Sequence, residues 1–412
     1  MAVLAGDEVG TTLVAAPKHA RRRAPGVTTA APLTSSLLAR LAQVAVLATV
    51  SRLHFHGVAA AVSGFGLVSS FAIITDSGFA NYLLSTHAGT VPRQEYRQGL
   101  RYHALLAIAG ATAAVGSVAI IGRHELTPLV MELVIAFGVT QVGDSLSRTA
   151  RAPYLSLTRP GRFSVPELAS TLLKVPIIVL ALAFRSPYWL LFLPVASTLV
   201  AAVAIASSHA DLTDSRDVAR LTGKTLWAYT ASNSISALYS QAPVVIAGFF
   251  LGTANLAQLT LVYRTIQPTE LLPATITQQM IPSLRTAPPA RIRRTWLIFV
   301  GIGAAAWVAI VACTPLINAL YGVRVSLLPL LIIAGAGLPL KYGNYALVAG
   351  LVARGYIKKR LRSSLVAGIV AVALVGAAAA FWGAREVLAG VVVAEAVLTA
   401  LLLRVTYSIA AP

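Results

Sequence analysis

The chain has 412 residues, 57% of them hydrophobic and only 11% charged, with a formal net charge of +19. That composition excludes a soluble globule of ordinary make-up. In a soluble protein such a charge would point to nucleic acid. Here most of it lies in short gaps between apolar stretches, where it meets lipid headgroups and sets orientation, so no nucleic-acid partner is expected.

Residues 1–32 read as a disordered basic tail (Lys18, Arg21, Arg22, Arg23) without a signal-peptide cleavage site. Twelve apolar stretches follow, each near the roughly 20 residues that cross a bilayer. They fall at 33–53, 57–86, 102–122, 126–147, 165–184, 187–206, 225–250, 255–282, 295–317, 325–352, 362–382 and 387–405. The gaps between them alternate. Arg93–Arg101, Arg148–Arg162, Arg216–Lys224, Arg285–Arg294 and Arg354–Arg362 are rich in cations. Arg52, Arg123, Arg185, Arg324 and Arg385 stand alone in the poor gaps, and the gap near Gly252–Asn255 has none. With the tail and Arg404, the rich side holds 24 Lys and Arg against 5 on the other. Lys and Arg are retained on the cytoplasmic side during insertion, so both termini are expected there. The fold class is therefore all-α and polytopic, with twelve transmembrane helices.

The mixed-charge segment 207–224 divides the spans six and six, giving bundles at 33–206 and 225–406 and a short tail at 407–412. A faint repeat supports the division. Phe55-His56-Gly57-Val58-Ala59 opens the second span and Phe250-Leu251-Gly252-Thr253-Ala254 the eighth, and an acid follows each glycine at a similar distance, Asp76 and Glu270.

Charges inside spans cost roughly 2.5–3.5 kcal/mol on insertion scales, and those that persist usually face a cavity. Arg264 lies about 15 Å deep at 1.5 Å per residue, beyond easy snorkelling; the alternative is an ion pair with a carboxylate of another span, made only for packing. Lys341 sits among helix-breaking residues (Gly335, Gly337, Pro339), which suit either a cavity or a simple kink. Arg40 and Lys174 are shallower, and snorkelling accounts for them as well as a cavity does. Asp76 and Glu270 are candidates for a coupling proton or cation, or for structural ion pairs; Glu132, Asp144, Glu167 and Glu395 rank below them. The seventh and eighth spans are rich in polar groups, among them Asn233, Tyr239, Gln241, Tyr263 and Gln267. Such a set fits a wet passage that accommodates sugar, or helix–helix hydrogen bonding.

No phosphate-cradling loop, metal-ligand cluster or nucleophile elbow is present in the sequence, so neither an enzyme nor a cofactor or metal is expected. His54 and His56 read as an interfacial pair. The single Cys313 permits no intrachain disulfide.

Several segments resemble a known family. Ala242-Pro243-Val244-Val245-Ile246-Ala247-Gly248-Phe249-Phe250-Leu251-Gly252, followed by Ala257, Tyr263-Arg264 and Ile281-Pro282, is similar to the start of the second half of polysaccharide (Wzx-like) flippases. These belong to the multidrug/oligosaccharidyl-lipid/polysaccharide exporter superfamily. Thr314-Pro315-Leu316-Ile317-Asn318-Ala319-Leu320-Tyr321-Gly322, Ala349-Gly350-Leu351-Val352-Ala353-Arg354-Gly355 and Asp76-Ser77-Gly78-Phe79-Ala80 resemble further segments of that family. Ser85-Thr86-His87 departs from it where an arginine is usual.

The resemblance implies two six-helix bundles around a central cavity, alternating between inward and outward states in the bacterial cytoplasmic membrane. It implies a polyprenyl-diphosphate-linked oligosaccharide as cargo, with the diphosphate met by Arg264, Lys341, Arg40 and Lys174. Expected partners are that lipid-linked cargo, membrane lipids, and a polysaccharide polymerase or glycosyltransferases. A drug or metabolite efflux antiporter of the same superfamily, or a non-catalytic scaffold of cell-wall assembly, are the rival readings. A sugar transporter of the major facilitator type is disfavoured, because Thr90-Val91-Pro92-Arg93 stands in place of its glycine-aspartate-arginine loop.

Overall fold

The structure, a computed structural model, describes residues 25–87, 91–121, 126–157, 159–209, 212–213, 222–284, 287–323 and 325–410. Among them it is nearly all helix; Pro92 and Thr213 form an isolated bridge. The first half comprises α1 (Pro25–Arg52), α2 (Val58–Ile74), α3 (Phe79–Thr86), α4 (Arg93–Ile121), α5 (Pro128–Ala150), α6 (Ala152–Ser156), α7 (Pro160–Ala183) and, after a 3-10 turn at Pro187–Phe192, α8 (Leu193–His209). The second half opens with α9 (Gly223–Phe250), α10 (Thr253–Ile266), a 3-10 turn at Gln267–Glu270 and α11 (Leu271–Leu284). It continues through α12 (Pro289–Ala312), α13 (Thr314–Tyr321), α14 (Leu328–Ala336), α15 (Leu338–Ala353), α16 (Ile357–Phe381) and α17 (Ala384–Ala410).

Helix starts follow local chemistry. Thr127 and Thr222 accept hydrogen bonds from the amides of Val130 and Thr225, at 3.2 and 3.3 Å, satisfying donors that a helix start leaves unpaired. Proline occupies the first turn of α5, α7 and α12, where its missing N–H costs nothing. The helices overrun the apolar stretches that mark them. α1 starts at Pro25, inside the expected tail, while residues 1–24 and most of 207–224 lie outside the described residues.

Nine helical stretches among the described residues are long and apolar enough to cross a membrane. Three of the expected spans fall short of that measure: α9, the interrupted α10–α11, and the interrupted α14–α15. The second span is also broken. Asp76 Oδ1 accepts from the Gly78 amide at 2.9 Å and Ser77 Oγ from the Phe79 amide at 3.2 Å, which ends α2 and starts α3. The second and eighth segments are both interrupted at an acid, Asp76 and Glu270.

Two helical lobes result. In the first, α5 packs on α4 and α8, α1 on α7, and α2 on α4 and α5; in the second, α12 packs on α15, α16 on α9 and α17, and α11 on α15. Large apolar side chains such as Leu105, Leu172, Leu199, Leu316 and Phe381 point outward, as expected of a surface facing lipid. Between lobes, α2 runs against α9 and α10. A β-carbon at Gly66 would lie 2.3 Å from Thr260 Oγ1, so only glycine lets these helices approach so closely. Ser63 Oγ donates to Thr253 O at 3.0 Å, Ser51 Oγ donates to Tyr321 O at 2.8 Å, and Arg52 donates to Ala319 O. These contacts join the lobes at the cation-poor end.

Candidate binding site between the lobes

The junction of α2 and α10 positions the most informative side chain. Arg264 stands near the end of α10, where Pro268 interrupts the helix and turns it into the 3-10 segment. It is 4% exposed. Its Nη1 donates to Gln267 Oε1 at 2.6 Å, and Nη2 to Gly66 O at 3.1 Å. Gln267 Nε2 in turn donates to Gln241 Oε1 at 3.3 Å, which also accepts from Ser70 Oγ at 3.2 Å. Every partner is neutral. The expected alternative of a packing ion pair with a carboxylate is overturned by this shell.

Arg40 and Arg148 line the same small pocket as Arg264, with Gln43, Ser69, Gln141 and Ser145. Neither makes an ion pair or hydrogen bond among the described residues, where Glu167, Asp144 and Glu270 engage Arg151, Lys174 and Lys341 instead. Three guanidinium groups around one cleft repel one another. An anion entering the cleft relieves that repulsion, and planar guanidinium forks suit phosphate oxygens in particular.

The other two expected cavity cations have a different fate. Lys341 Nζ meets Glu270 Oε1 at 2.7 Å, and Lys174 Nζ meets Asp144 at 2.6 and 2.7 Å. Each pair is internal to its lobe, and each neutralises a charge that would be costly alone. Lys341, Lys174 and the coupling candidate Glu270 are therefore already paired in this state. Asp76 is occupied in closing the α2–α3 break. Gln241 and Gln267 join the arginine network. Tyr263 instead lines a pocket in the second lobe with Glu270, Lys341 and Glu395, where its buried hydroxyl has no hydrogen-bond partner among the described residues. The side chains of Asn233 and Tyr239 lie outside the described residues.

The Lys341–Glu270 pair yields a stability prediction. Lys341→Met leaves Glu270 unpaired and is expected to cost about 3–5 kcal/mol, whereas the double variant with Glu270→Gln restores most of that loss. Thermal melts of the purified single and double variants measure the difference.

Arg148 and Arg151 were not singled out by sequence reasoning, and Asp144 and Glu167 were ranked below Asp76 and Glu270. Arg148 and Arg151 read as loop cations that set topology, yet α5 continues through both the expected boundary and Arg148. A signal was present: Gln141, Ser145 and Arg148 recur at i, i+4 and i+7 on one face of an otherwise apolar helix. Arg151 bonds Glu167 at 3.0 Å, and Glu167 accepts from Ser35 Oγ at 2.7 Å, tying α5 to α7 and α1.

Solved structures with a similar course of helices are transporters. The chain matches the lipid II flippase MurJ in an inward closed conformation with a TM-score of 0.63 and 14% identity, over 93% of this chain and 87% of that one. It matches a MOP superfamily transporter from Pyrococcus furiosus, described as having a binding pocket of reverse polarity, at 0.58 and 15%, over 93% and 94%. An inward-facing multidrug resistance MATE transporter of the MOP superfamily matches at 0.55 and 16%, over 93% and 94%. No protein-family model and no curated protein matches the sequence. The chain is thus a nearly all-helical, multi-pass membrane protein of two lobes, with the fold shared by the MurJ flippase and MOP superfamily transporters.

Proposed function

We propose that this protein is a flippase that carries polyprenyl-diphosphate-linked oligosaccharide from the cytoplasmic to the outer leaflet of a bacterial cytoplasmic membrane, by alternating access. The observation that carries this reading is the cluster of Arg40, Arg148 and Arg264, three cations in one cleft between lobes that form no ion pair with a carboxylate among the described residues. A diphosphate supplies the missing charge in compact form. Gln43, Gln141, Gln241 and Gln267 offer amides to the adjoining sugar.

The lipid tail has its own route. An apolar groove of about 520 Å³ runs between α1 and the second lobe, lined by Leu33, Leu37, Leu272, Ile302 and Ile310 among others. Leu33, Leu37 and Arg40 follow one another at i, i+4 and i+7 along α1, so one helix face leads from groove to cleft. The lobes are joined at the cation-poor end, which suits a state that receives cargo from the cation-rich side.

A cationic drug as cargo would require acids in the cleft, and none is among the residues lining it. Deletion of the gene is expected to raise the cellular pool of a lipid-linked oligosaccharide several-fold and to deplete surface polysaccharide. The glycan of the accumulated lipid identifies the cargo. An unchanged pool with normal surface polysaccharide would rule the proposal out, and enhanced sensitivity to cationic dyes in its place would favour the antiporter.

A further inference from the structure

The arginine cleft has an annex. A pocket of about 60 Å³ inside the first lobe shares Gln43, Gln141 and Arg148 with it and continues past Arg151, Glu167 and Lys174. Such a volume takes a small charged group and some water, but not a sugar ring. The lining carries three cations, Arg148, Arg151 and Lys174, against two carboxylates, Asp144 and Glu167, and so has an excess of one positive charge.

The acceptors of this pocket are engaged, while its donors are not. Asp144 Oδ1 accepts from Lys174 Nζ at 2.7 Å, Ser170 Oγ at 3.2 Å and Ser197 Oγ at 2.9 Å, and its Oδ2 takes Lys174 Nζ at 2.6 Å. A β-carbon at Gly143 would lie 2.9 Å from the Ser197 backbone, so α8 brings the Ser197 hydroxyl this near only because residue 143 is glycine. Glu167 meets Arg151 Nη2 at 3.0 Å through Oε1, and through Oε2 it accepts from the Ser35 and Ser36 hydroxyls at 2.7 and 3.2 Å. Arg151 is 3% exposed, and its Nη1 donates to Phe163 O at 3.1 Å. Its buried Nε has no hydrogen-bond partner among the described residues. Arg148, at the junction of pocket and cleft, is the unpaired cation already described.

Spare donors and an excess positive charge fit a ligand that only accepts, and a carboxylate is a compact group of that kind. A phosphate monoester would set more than one negative charge beside Asp144 and Glu167, which repel it. The cleft leads to the same charge. A diphosphate joined to a lipid and to a sugar carries two negative charges, which Arg40 and Arg264 balance; Arg148, common to cleft and pocket, is left over. We infer that this pocket binds the carboxylate of an acidic sugar near the diphosphate, so that the cargo is an anionic glycan of the uronic acid class whose ring stays in the cleft. The inference rests on the proposed flippase reading and narrows its cargo.

The test uses the full-length protein purified in detergent, with thermal melts at equal ionic strength in the sodium salt of methyl glucuronide, in methyl glucoside with sodium chloride, and in inorganic pyrophosphate as a probe of the cleft. The wild type is expected to melt about 1–3 °C higher in glucuronide than in glucoside, saturably, and to be stabilised by pyrophosphate as well. Ala39→Val and Ala42→Leu add methyl groups to the lining of the pocket but not of the cleft, and alter no charged group. Each is expected to lose the glucuronide shift and keep the pyrophosphate shift. In the cell, the lipid-linked oligosaccharide that accumulates on deletion of the gene is expected to carry an acidic sugar.

Three results would overturn the inference. One is a wild-type glucuronide shift no larger than that of glucoside. Another is a glucuronide shift that survives in a folded Ala39→Val or Ala42→Leu protein. The last is an accumulated lipid whose glycan is neutral. If neither variant folds, the wild-type melts and the glycan decide alone. Failure of the flippase reading looks different, since no lipid accumulates at all, and this inference then falls with it.

Discussion

Arg264→Ala is expected to reduce export by about 100- to 1,000-fold while leaving the protein inserted in the membrane. The magnitude follows from removing the cation that meets the proposed diphosphate out of water, a loss of about 3–4 kcal/mol. Loss of the guanidinium also leaves the Gln267 carboxamide and the Gly66 carbonyl without their donor. Arg264→Lys separates charge from shape. An ammonium keeps the charge but cannot reach Gln267 and Gly66 together in a fixed fork, so partial export, between alanine and wild type, is expected. Arg264→Gln keeps a donor and loses the charge, and should behave like alanine. Surface polysaccharide in a deletion strain, complemented with each variant at matched membrane abundance, is the measurement. Normal polysaccharide with Arg264→Ala as the sole copy would remove this residue from the mechanism.

The second large effect concerns motion. Alternating access requires the contacts that join the lobes at the cation-poor end to open. An ideal β-carbon at Gly322 would lie 4.0 Å from Arg52 Cβ, within the roughly 3.5–4.5 Å that a disulfide spans. Arg52 ends α1 in the first lobe and Gly322 follows α13 in the second, so a bridge here fastens one lobe to the other. The Arg52→Cys, Gly322→Cys variant, in a Cys313→Ala background, should export normally or nearly so when reduced. Oxidation should abolish export, and reductant should restore it. Cysteine at 322 adopts a positive φ of 63°, which costs about 1–2 kcal/mol and slightly lowers stability in both redox states. Undiminished export with a fully formed bridge would show that these ends do not part during transport.

Both predictions rest on parts of the molecule that differ in how far they could be foreseen. The helical, multi-pass character was legible because membrane insertion depends on sums over neighbouring residues, such as apolar runs and the cations that flank them. The interruption near Pro268 and the break around Asp76 carry local marks too, a missing amide and a short polar run ending in Gly78. The depth of Arg264 came from counting residues. Its neutral shell did not, since Gly66 and Ser70 are nearly 200 positions away along the chain. Arg148 illustrates the opposite error. It counts among the cations that orient the chain, and it also faces the cleft, because α5 runs past its apolar part and turns that face inward.

What the amino-acid order determined alone was a multi-pass helical chain, the two halves, and a set of costly charges at membrane depth. The fold then decided which of those charges cancel. Lys341 found Glu270 and Lys174 found Asp144 within their own lobes, while Arg40, Arg148 and Arg264 were left facing one cleft. The reason is physical: hydropathy is a property of segments, but an ion pair depends on how each helix is rotated and tilted against its neighbours. That rotation is set by close packing at residues such as Gly66 and Gly143, across distances in sequence that no local pattern spans.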